Sequence, residues 1–454
     1  MARGKKAAKE LSPEEKLQQA LVPVEEQPYP IPENWCWTRL KVLVEASKEK
    51  TDNFLDSNIK YVGLEHIEKD GRIMGYSPAT EVKSLKAVFH VGQILYGKLR
   101  PYLNKHDIAG FEGICSTDIL VFDIHNCAIP QYVNCFFDQR YFIEYAVSNS
   151  KGINLPRVSE SIILEAICPL PPLPEQHRIV GRIESLFAKL DEAKEKAQAV
   201  VDGFELRKSA ILHKAFTGEL TERWRKEHGV GLESWVNSPW GNFIVSIEAG
   251  KNWNAEGRPP EDDEFGVVKV SAVTWGEFNE LESKTCTINE QWNEKTQIHT
   301  GDFLFSRANT LQLVGNCVIV KNISRRLMLS DKILRFSFDK SVAPEYVLYF
   351  THSDLYREQI ERLASGNQDG MRNVSQKNMK MVEFPLPLLS EQKELVCIIG
   401  SLYSKEQQAK EAAEAVLSQI DTMKKAILAR AFRGELGTND PAEESAAELI
   451  KTVL

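Results

Sequence analysis

One stretch of this chain is written twice, and the interval between the copies is fixed. Residues 210–220 read Ala-Ile-Leu-His-Lys-Ala-Phe-Thr-Gly-Glu-Leu, and residues 426–436 read Ala-Ile-Leu-Ala-Arg-Ala-Phe-Arg-Gly-Glu-Leu. Eight of eleven positions agree at an offset of 426 − 210 = 216. Pro169, Leu170, Pro171, Glu175 and Gln176 recur as Pro385, Leu386, Pro387, Glu391 and Gln392 at the same offset. No residue is gained or lost between the two motifs, so the segment joining them is held to length. A duplication of this size fixes the architecture before local propensity is considered.

Fixed length has a physical reason if the segment is a rod. Apolar residues recur at Ile179, Ile183, Leu186, Leu190, Ala193, Ala197, Val200, Phe204 and Ile211. The second copy has Leu395, Ile399, Leu402, Ala409, Ala413, Val416, Ile420, Met423 and Ile427, with Glu406 breaking the series. Alternating spacings of four and three are those of a coiled-coil seam. Each helix is expected to run for ~40 residues, about 60 Å. Gly203 falls inside the first and costs ~1 kcal/mol relative to alanine. Two matched helices in one chain most simply pack against each other, and antiparallel packing would place a globular head at either end; two helices each packed on its own head is the other reading.

The heads agree less closely. Residues 92–96 resemble 301–305 at offset 209, and Pro130-Gln131-Tyr132-Val133 resembles Pro344-Glu345-Tyr346-Val347 at offset 214. Trp37 and Trp240 are matched at offset 203. Strands are expected over residues 91–99, 114–122, 301–305 and 314–320, and helices over 130–147 and 344–363. Each head is therefore read as mixed α/β (α+β) with a mixed sheet. The expected division is an N-terminal extension to residue 30, a head over 31–174, a helix over 175–220, a second head over 221–389, a second helix over 390–436 and an acidic tail over 437–454. Ser12-Pro13-Glu14-Glu15 reads as a capped helix start in the extension.

Motifs for chemistry are missing. Residues 92–98, Gly-Gln-Ile-Leu-Tyr-Gly-Lys, approach a phosphate-binding loop, but Leu99 stands where Ser or Thr must hold Mg²⁺. No Gly-x-Gly-x-x-Gly follows a strand, and no Asn-Pro-Pro-aromatic motif of an amino-methyltransferase occurs. The eight cysteines lack metal-site spacing and read as reduced buried thiols. No apolar run is long enough to cross a membrane, and the basic first residues are not followed by a signal-peptide core. The expectation is a cytoplasmic, prokaryotic protein that catalyses nothing and binds no cofactor or metal.

The net charge of −8 argues against a nucleic-acid partner until the charges are located. Residues 83–106 hold Lys83, Lys86, Lys98, Arg100 and Lys105 with no acid, interleaved with Tyr96, Tyr102 and Asn104. Residues 303–336 hold Arg307, Lys321, Arg325, Arg326, Lys332 and Arg335 against Asp331 alone, with Ser306 and Asn309 beside them. A second pair of loops precedes the Pro-rich motifs. One carries Lys151, Asn154 and Arg157; the other carries Asn367, Gln368, Arg372 and Asn373. Cations with Asn and Gln are what phosphate contact and base-edge reading require. The candidate DNA-contacting set is Lys98, Arg100, Tyr102, Asn104 and Lys105 from the first run, Ser306, Arg307, Asn309, Arg325 and Arg326 from the second, and the named residues of the two loops; a solvated surface or a turn without ligand is the competing reading of each run.

The chain at this point resembles the specificity subunits of type I restriction–modification enzymes. The resemblance rests on the repeated order of head, Pro-Leu-Pro…Glu-Gln, heptad helix and Ala-Ile-Leu-x-(Lys/Arg)-Ala-Phe-x-Gly-Glu-Leu, over roughly residues 30–436. Residues 301–307, Gly-Asp-Phe-Leu-Phe-Ser-Arg, match the family's strand entering the recognition region, whereas the first head departs from it at Tyr96-Gly97-Lys98. The resemblance implies two target-recognition domains held apart by an antiparallel coiled coil, each reading one half of an interrupted, asymmetric DNA target. It implies two modification subunits that use S-adenosylmethionine to methylate adenine, and restriction subunits that use ATP and Mg²⁺. A specificity subunit serving a methyltransferase alone, a self-contained nuclease or methylase, and a protein-only two-headed scaffold are the other readings.

Overall fold

The computed structural model describes residues 12–52, 59–69, 71–79, 84–366 and 371–454. The chain divides into two compact units, Met1–Ala197 with Ala415–Leu454, and Gln198–Glu414. The division expected from sequence was linear; here each boundary falls within a long helix.

In unit one, a four-stranded sheet joins Val44–Ala46, Ile119–Ile124, Ile94–Gly97 and His106–Ile108 in that order. All three pairings are antiparallel. A second sheet carries Lys50–Thr51, Lys86–Phe89, Gly113–Cys115, Lys60–Val62 and Ser77–Pro78, with one parallel pairing. Helices Pro130–Phe137 and Arg140–Ser148 bury Tyr132, Val133, Phe136, Phe137 and Phe142. Their core also receives Ile179 and Ile183 from the helix Leu173–Asp202, and Leu428, Ala431 and Phe432 from the end of Leu389–Ala431 and just beyond.

Unit two repeats this order with different lengths. Its four-stranded sheet joins Ile244–Ala249, Ile333–Phe338, Phe303–Ser306 and Cys317–Ile319, and all its pairings are antiparallel. A three-stranded sheet of Ser283–Cys286, Phe265–Val268 and Arg326–Met328 stands where unit one has five strands. Helices Pro344–Thr351 and Asp354–Leu363 bury Tyr346, Val347, Phe350, Tyr356 and Ile360. Leu212, Ala215 and Phe216 pack with Leu395 and Ile399 in the same core.

Both expected helices over 130–147 and 344–363 are therefore pairs of short helices. Ser353 caps the second member in unit two by accepting from the Tyr356 N–H, and the Gln139 side chain interrupts the first copy to donate 2.5 Å to the Leu428 carbonyl. The strand expected over 114–122 is two strands, Gly113–Cys115 and Ile119–Ile124, in different sheets, and the other three are Ile94–Gly97, Phe303–Ser306 and Cys317–Ile319. The match of Trp37 to Trp240 is also corrected by strand register. Trp37 lies opposite Pro169 and Asn237 lies opposite Pro385, so the offset there is 237 − 37 = 200, and Trp35 corresponds to Trp235.

The two long helices begin in the same way. Gln176 is buried; its carbonyl accepts from the Ile129 N–H at 3.0 Å, and its amide donates to the Cys127 and Pro171 carbonyls. Gln392 is likewise buried, accepting from the Ala343 N–H at 2.9 Å and donating to Ser341 and Pro387. The neighbouring glutamates are buried too. Glu175 takes a hydrogen bond from Thr438 and pairs with Arg178, which also grips Glu443. Glu391 takes hydrogen bonds from Thr221, Trp235 and Arg225. Within each unit, the segment just past the end of one helix thus closes on the first turn of the other.

The seam runs one residue away from its expected course in the second helix. Ala413 and Ile420 are buried, but Ala409, Val416 and Met423 are exposed, and Lys410, Leu417 and Lys424 face inward in their stead. The contact face keeps the spacing of seven, through Ala413 and Ile420 and through Lys410, Leu417 and Lys424, but takes the residue after each of the expected Ala409, Val416 and Met423. The inward lysines lie over aromatic rings, Lys410 on Phe204 at 4.7 Å and Lys424 on Phe187 at 5.1 Å. Lys424 also pairs with Asp191 at 2.6 Å. Glu406, the break in the series, pairs with Arg207 at 2.6 Å. Gly203 serves that pair: a Cβ there would lie 2.5 Å from an Arg207 Nη. The helix is interrupted at Gly203, giving Leu173–Asp202 and Phe204–Phe216.

The N-terminal extension and the acidic tail belong to the body of unit one. Helix Pro13–Ala20 starts with the Ser12–Glu15 capping box. Helix Ala446–Lys451 buries Ala446 and Ile450, and the Lys16 ammonium donates to the Leu454 carbonyl.

Candidate nucleic-acid interface

In unit one the chain leaves the strand Ile94–Gly97 into a tight basic loop. Arg100 and Asn104 both adopt the left-handed conformation, at φ 53° and 44°, on either side of the turn Pro101–Leu103. The second candidate loop holds this one in place. The Arg100 N–H donates to the Pro156 carbonyl at 2.7 Å, the Val158 N–H donates to Lys98, and Leu99 bridges Arg157. Lys151 and Arg157 exchange two backbone hydrogen bonds and close the second loop as a small hairpin. Two segments more than forty residues apart in sequence thus form one surface.

Unit two makes the same join. Ala308 pairs with Asn373 and Asn309 with Arg372. The Arg307 Nε donates to the Asn373 side-chain oxygen at 3.3 Å, and the Val374 N–H donates to the Arg307 carbonyl. The Asn309 amide donates to Thr274, which ties in a third segment; Asn316 reaches the Thr274 carbonyl at 2.8 Å.

The candidate residues divide on accessibility. Arg100, Tyr102, Lys151, Asn154 and Arg157 are exposed, and Lys98, Arg307, Asn309, Arg372 and Asn373 are partly so. Arg157 is shared with Asp118 at 3.0 Å, which raises its already high pKa through that hydrogen bond and charge. Lys105 spends its ammonium on the Leu64 carbonyl at 2.7 Å.

Asn104 and Ser306 are corrections, because both are buried. The Asn104 amide donates to His106 and Asp138 and cannot present itself to a base edge. Arg325 and Arg326 stand apart from the joined loops. Arg325 donates to the Pro260 carbonyl, and Arg326, which is exposed, lies 4.5 Å over Trp292. They border a pocket lined also by Glu261, Asp262 and Glu264. Among the described residues no hydrogen bond or ion pair links them to the joined loops. Asn367 and Gln368 lie outside the described residues.

Sequence reasoning missed several neighbours. Trp275 follows Thr274 and is 76% exposed. Ile153 is fully exposed, with Leu155 and Tyr102 about half exposed beside it. Large apolar groups standing in water beside cations are contact groups in search of a surface. The signal was available in Thr274-Trp275-Gly276, a tryptophan in a turn.

Below the unit-one surface, His106 anchors the basic loop. Its ring contacts Asp138 at 3.1 Å and Asn134 at 2.8 Å. Burial pushes its pKa down, but the charge and hydrogen bond of Asp138 and the bond to Asn134 outweigh it, and the net direction is up. No cluster of His, Cys, Asp or Glu suited to a metal occurs among the described residues. No described helix is long and apolar enough to cross a membrane.

Parts of the chain are similar in sequence to known specificity domains and subunits. The type I restriction modification DNA specificity domain matches residues 261–415. The type I restriction enzyme EcoDI specificity subunit of Escherichia coli is 34% identical over 201 residues, 44% of this chain and 45% of that one. The EcoKI specificity subunit of Escherichia coli K12 is 26% identical over 67% of each chain. The chain thus spans just under half of the first relative and two thirds of the second. In fold it is similar to the HsdS subunit of Thermoanaerobacter tengcongensis, with a TM-score of 0.66 at 21% identity, covering 91% of this chain and all of that one.

Proposed function

We propose, from its likeness in sequence to type I restriction enzyme specificity subunits, that this chain is such a subunit and that each unit reads one half of an interrupted, asymmetric DNA target through its two joined loops. The observation that carries this reading is the join itself. In both units the basic strand exit is joined by backbone hydrogen bonds to the second loop, at Pro156, Arg157 and Val158 in one and at Arg372, Asn373 and Val374 in the other. Arg100 and Lys151 in one, and Arg307 and Arg372 in the other, supply cations there. Phosphate contact gives affinity and orientation, and base-edge contact gives the sequence. The two surfaces differ in composition, so the two half-sites differ.

The paired helices act as a ruler in this reading. An antiparallel packing of the two helices would suit the pseudo-dyad of duplex DNA, with half-sites near one helical turn, ~34 Å, apart. The similar helix starts and ends offer two equivalent surfaces, as two copies of one modification subunit require. The chain itself catalyses nothing and binds no cofactor. The modification subunits bring S-adenosylmethionine and methylate adenine, and restriction subunits bring ATP and Mg²⁺. A protein-only scaffold lacks any such use for the exposed cations.

The test is binding of a duplex carrying the target by the chain assembled with its modification subunits, measured from 50 to 200 mM salt. Affinity that falls steeply with salt, and that drops again when either half-site is scrambled, is expected. Affinity indifferent to both would favour the scaffold.

A further inference from the structure

The N-terminal extension fills a place in unit one that stands open in unit two. Leu21 bridges Thr38, and the Val22 N–H donates to the Trp37 carbonyl at 2.9 Å, so the extension adds to the outer edge of Cys36–Arg39. Tyr29 then packs edge-on against Trp37 at 4.9 Å. Its hydroxyl donates to the Phe432 carbonyl at 3.3 Å, and Arg433 lies 5.3 Å from its ring. Tyr141 completes its surroundings.

The equivalent positions follow from offsets already established. Trp37 corresponds to Asn237 by register, Tyr141 to Leu355 at 214, and Phe432 and Arg433 to Phe216 and Thr217 at 216. Asn237, Leu355, Phe216 and Thr217 all line one open groove of about 820 Å³ in unit two, with Trp235, Gln359 and Met381 beside them. Among the described residues no segment of unit two plays the part of the extension. From Gly218 the chain turns through Glu219–Thr221 and Glu222–His228 and enters the strand directly after Leu232–Ser234. The strand edge is open as well: the Trp240 N–H faces the partner strand at Val382, so strand alternation turns the Asn237 backbone outward, as it does Trp37. Val236 and Leu355 are both exposed.

We propose that this groove docks an extended segment of a partner polypeptide, which adds as a strand beside Val236–Pro239 and seats an aromatic side chain against Phe216 and Leu355. Strand addition supplies backbone hydrogen bonds, and the aromatic seat supplies selectivity. Unit one shows the bound form with the chain's own residues 21–29. The inference is independent of DNA reading.

The probe is a fluorescent synthetic peptide of residues 18–31, titrated into the full-length chain and followed by anisotropy. Saturable one-to-one binding is expected. It should weaken by about tenfold when the peptide carries Tyr29→Ala, and by at least as much when the chain carries Leu355→Trp, which fills the groove. Asn237→Pro, which removes the outward N–H at an edge position that tolerates proline, is the second variant should Leu355→Trp fail to fold. No binding, or binding that both groove variants leave unchanged, overturns the proposal.

Discussion

At the scale of single residues, the cations at the joined loops differ in kind from the polar residues beneath them. Among the described residues the Arg307 side chain reaches the rest of its site through one long hydrogen bond, to Asn373, while the backbone pairing of Ala308 with Asn373 stands without it. Arg307→Ala is therefore expected to leave folding intact and to weaken target binding by about 10–100-fold, the worth of 1–3 kcal/mol for one reading side chain. Binding assays on the assembled complex, with circular dichroism as the check on folding, decide this; unchanged affinity would remove Arg307 from the interface. His106 sets a pH dependence. Its folded pKa is raised above the usual 6.5, so its stabilising contribution is full below that value and is lost as pH rises through the folded one. Urea midpoints of unit one should fall between pH 6 and 8.5 in the natural chain, and His106→Gln should flatten that slope; an equal slope in both would refute the assignment. Residue types in the basic runs were legible from sequence, but burial was not. Asn104 and Ser306 have the chemistry of readers and lie inside, because the turn that exposes Arg100 directs Asn104 inward onto Asp138.

At the scale of elements, the repeated Glu-Gln pair is the feature whose role the sequence left unstated. Gln392 satisfies the loop before Pro344–Thr351, and Glu391 gathers Thr221, Trp235 and Arg225 from beyond the end of the first long helix. Glu391→Ala strands a buried arginine, the pair being 8% and 0% exposed. The expected cost is about 3–5 kcal/mol, measurable as a lower denaturant midpoint for unit two. A loss below 1 kcal/mol would mean that the network is dispensable. The helices themselves were plain in the heptad pattern and their ends in the Pro-rich and Gly-Glu-Leu motifs. Their facing residues were less so. The apolar Ala409, Val416 and Met423 draw the count to the wrong side of Ala413 and Ile420, because Glu406, Lys410 and Lys424 show their place only with Arg207, Phe204 and Phe187 beside them. If the pair is a ruler, deleting one heptad from both helices should change the length of the unread spacer in the methylated motif. A spacer of unchanged length would end that idea.

At the scale of the whole molecule, duplication was the legible fact and division into units was not. A linear reading places heads and helices one after another, whereas the compact units are Met1–Ala197 with Ala415–Leu454, and Gln198–Glu414. The residues that a linear reading sets aside as an extension and a tail are packed parts of the first unit, since Leu17, Ala446 and Ile450 join its core. Head sequences diverge while topology persists, so the offset changes from 200 to 216 along the chain, and a match by residue type, such as Trp37 with Trp240, fails where strand register succeeds. The central claim is that this chain chooses where partner subunits methylate DNA. Genome-wide mapping of N6-methyladenine, in cells carrying the modification subunit with and without this chain, tests it most directly. The account predicts methylation of a split, asymmetric motif that vanishes when the chain is removed. Methylation unchanged by its removal, with the modification subunit expressed and active, would contradict the account.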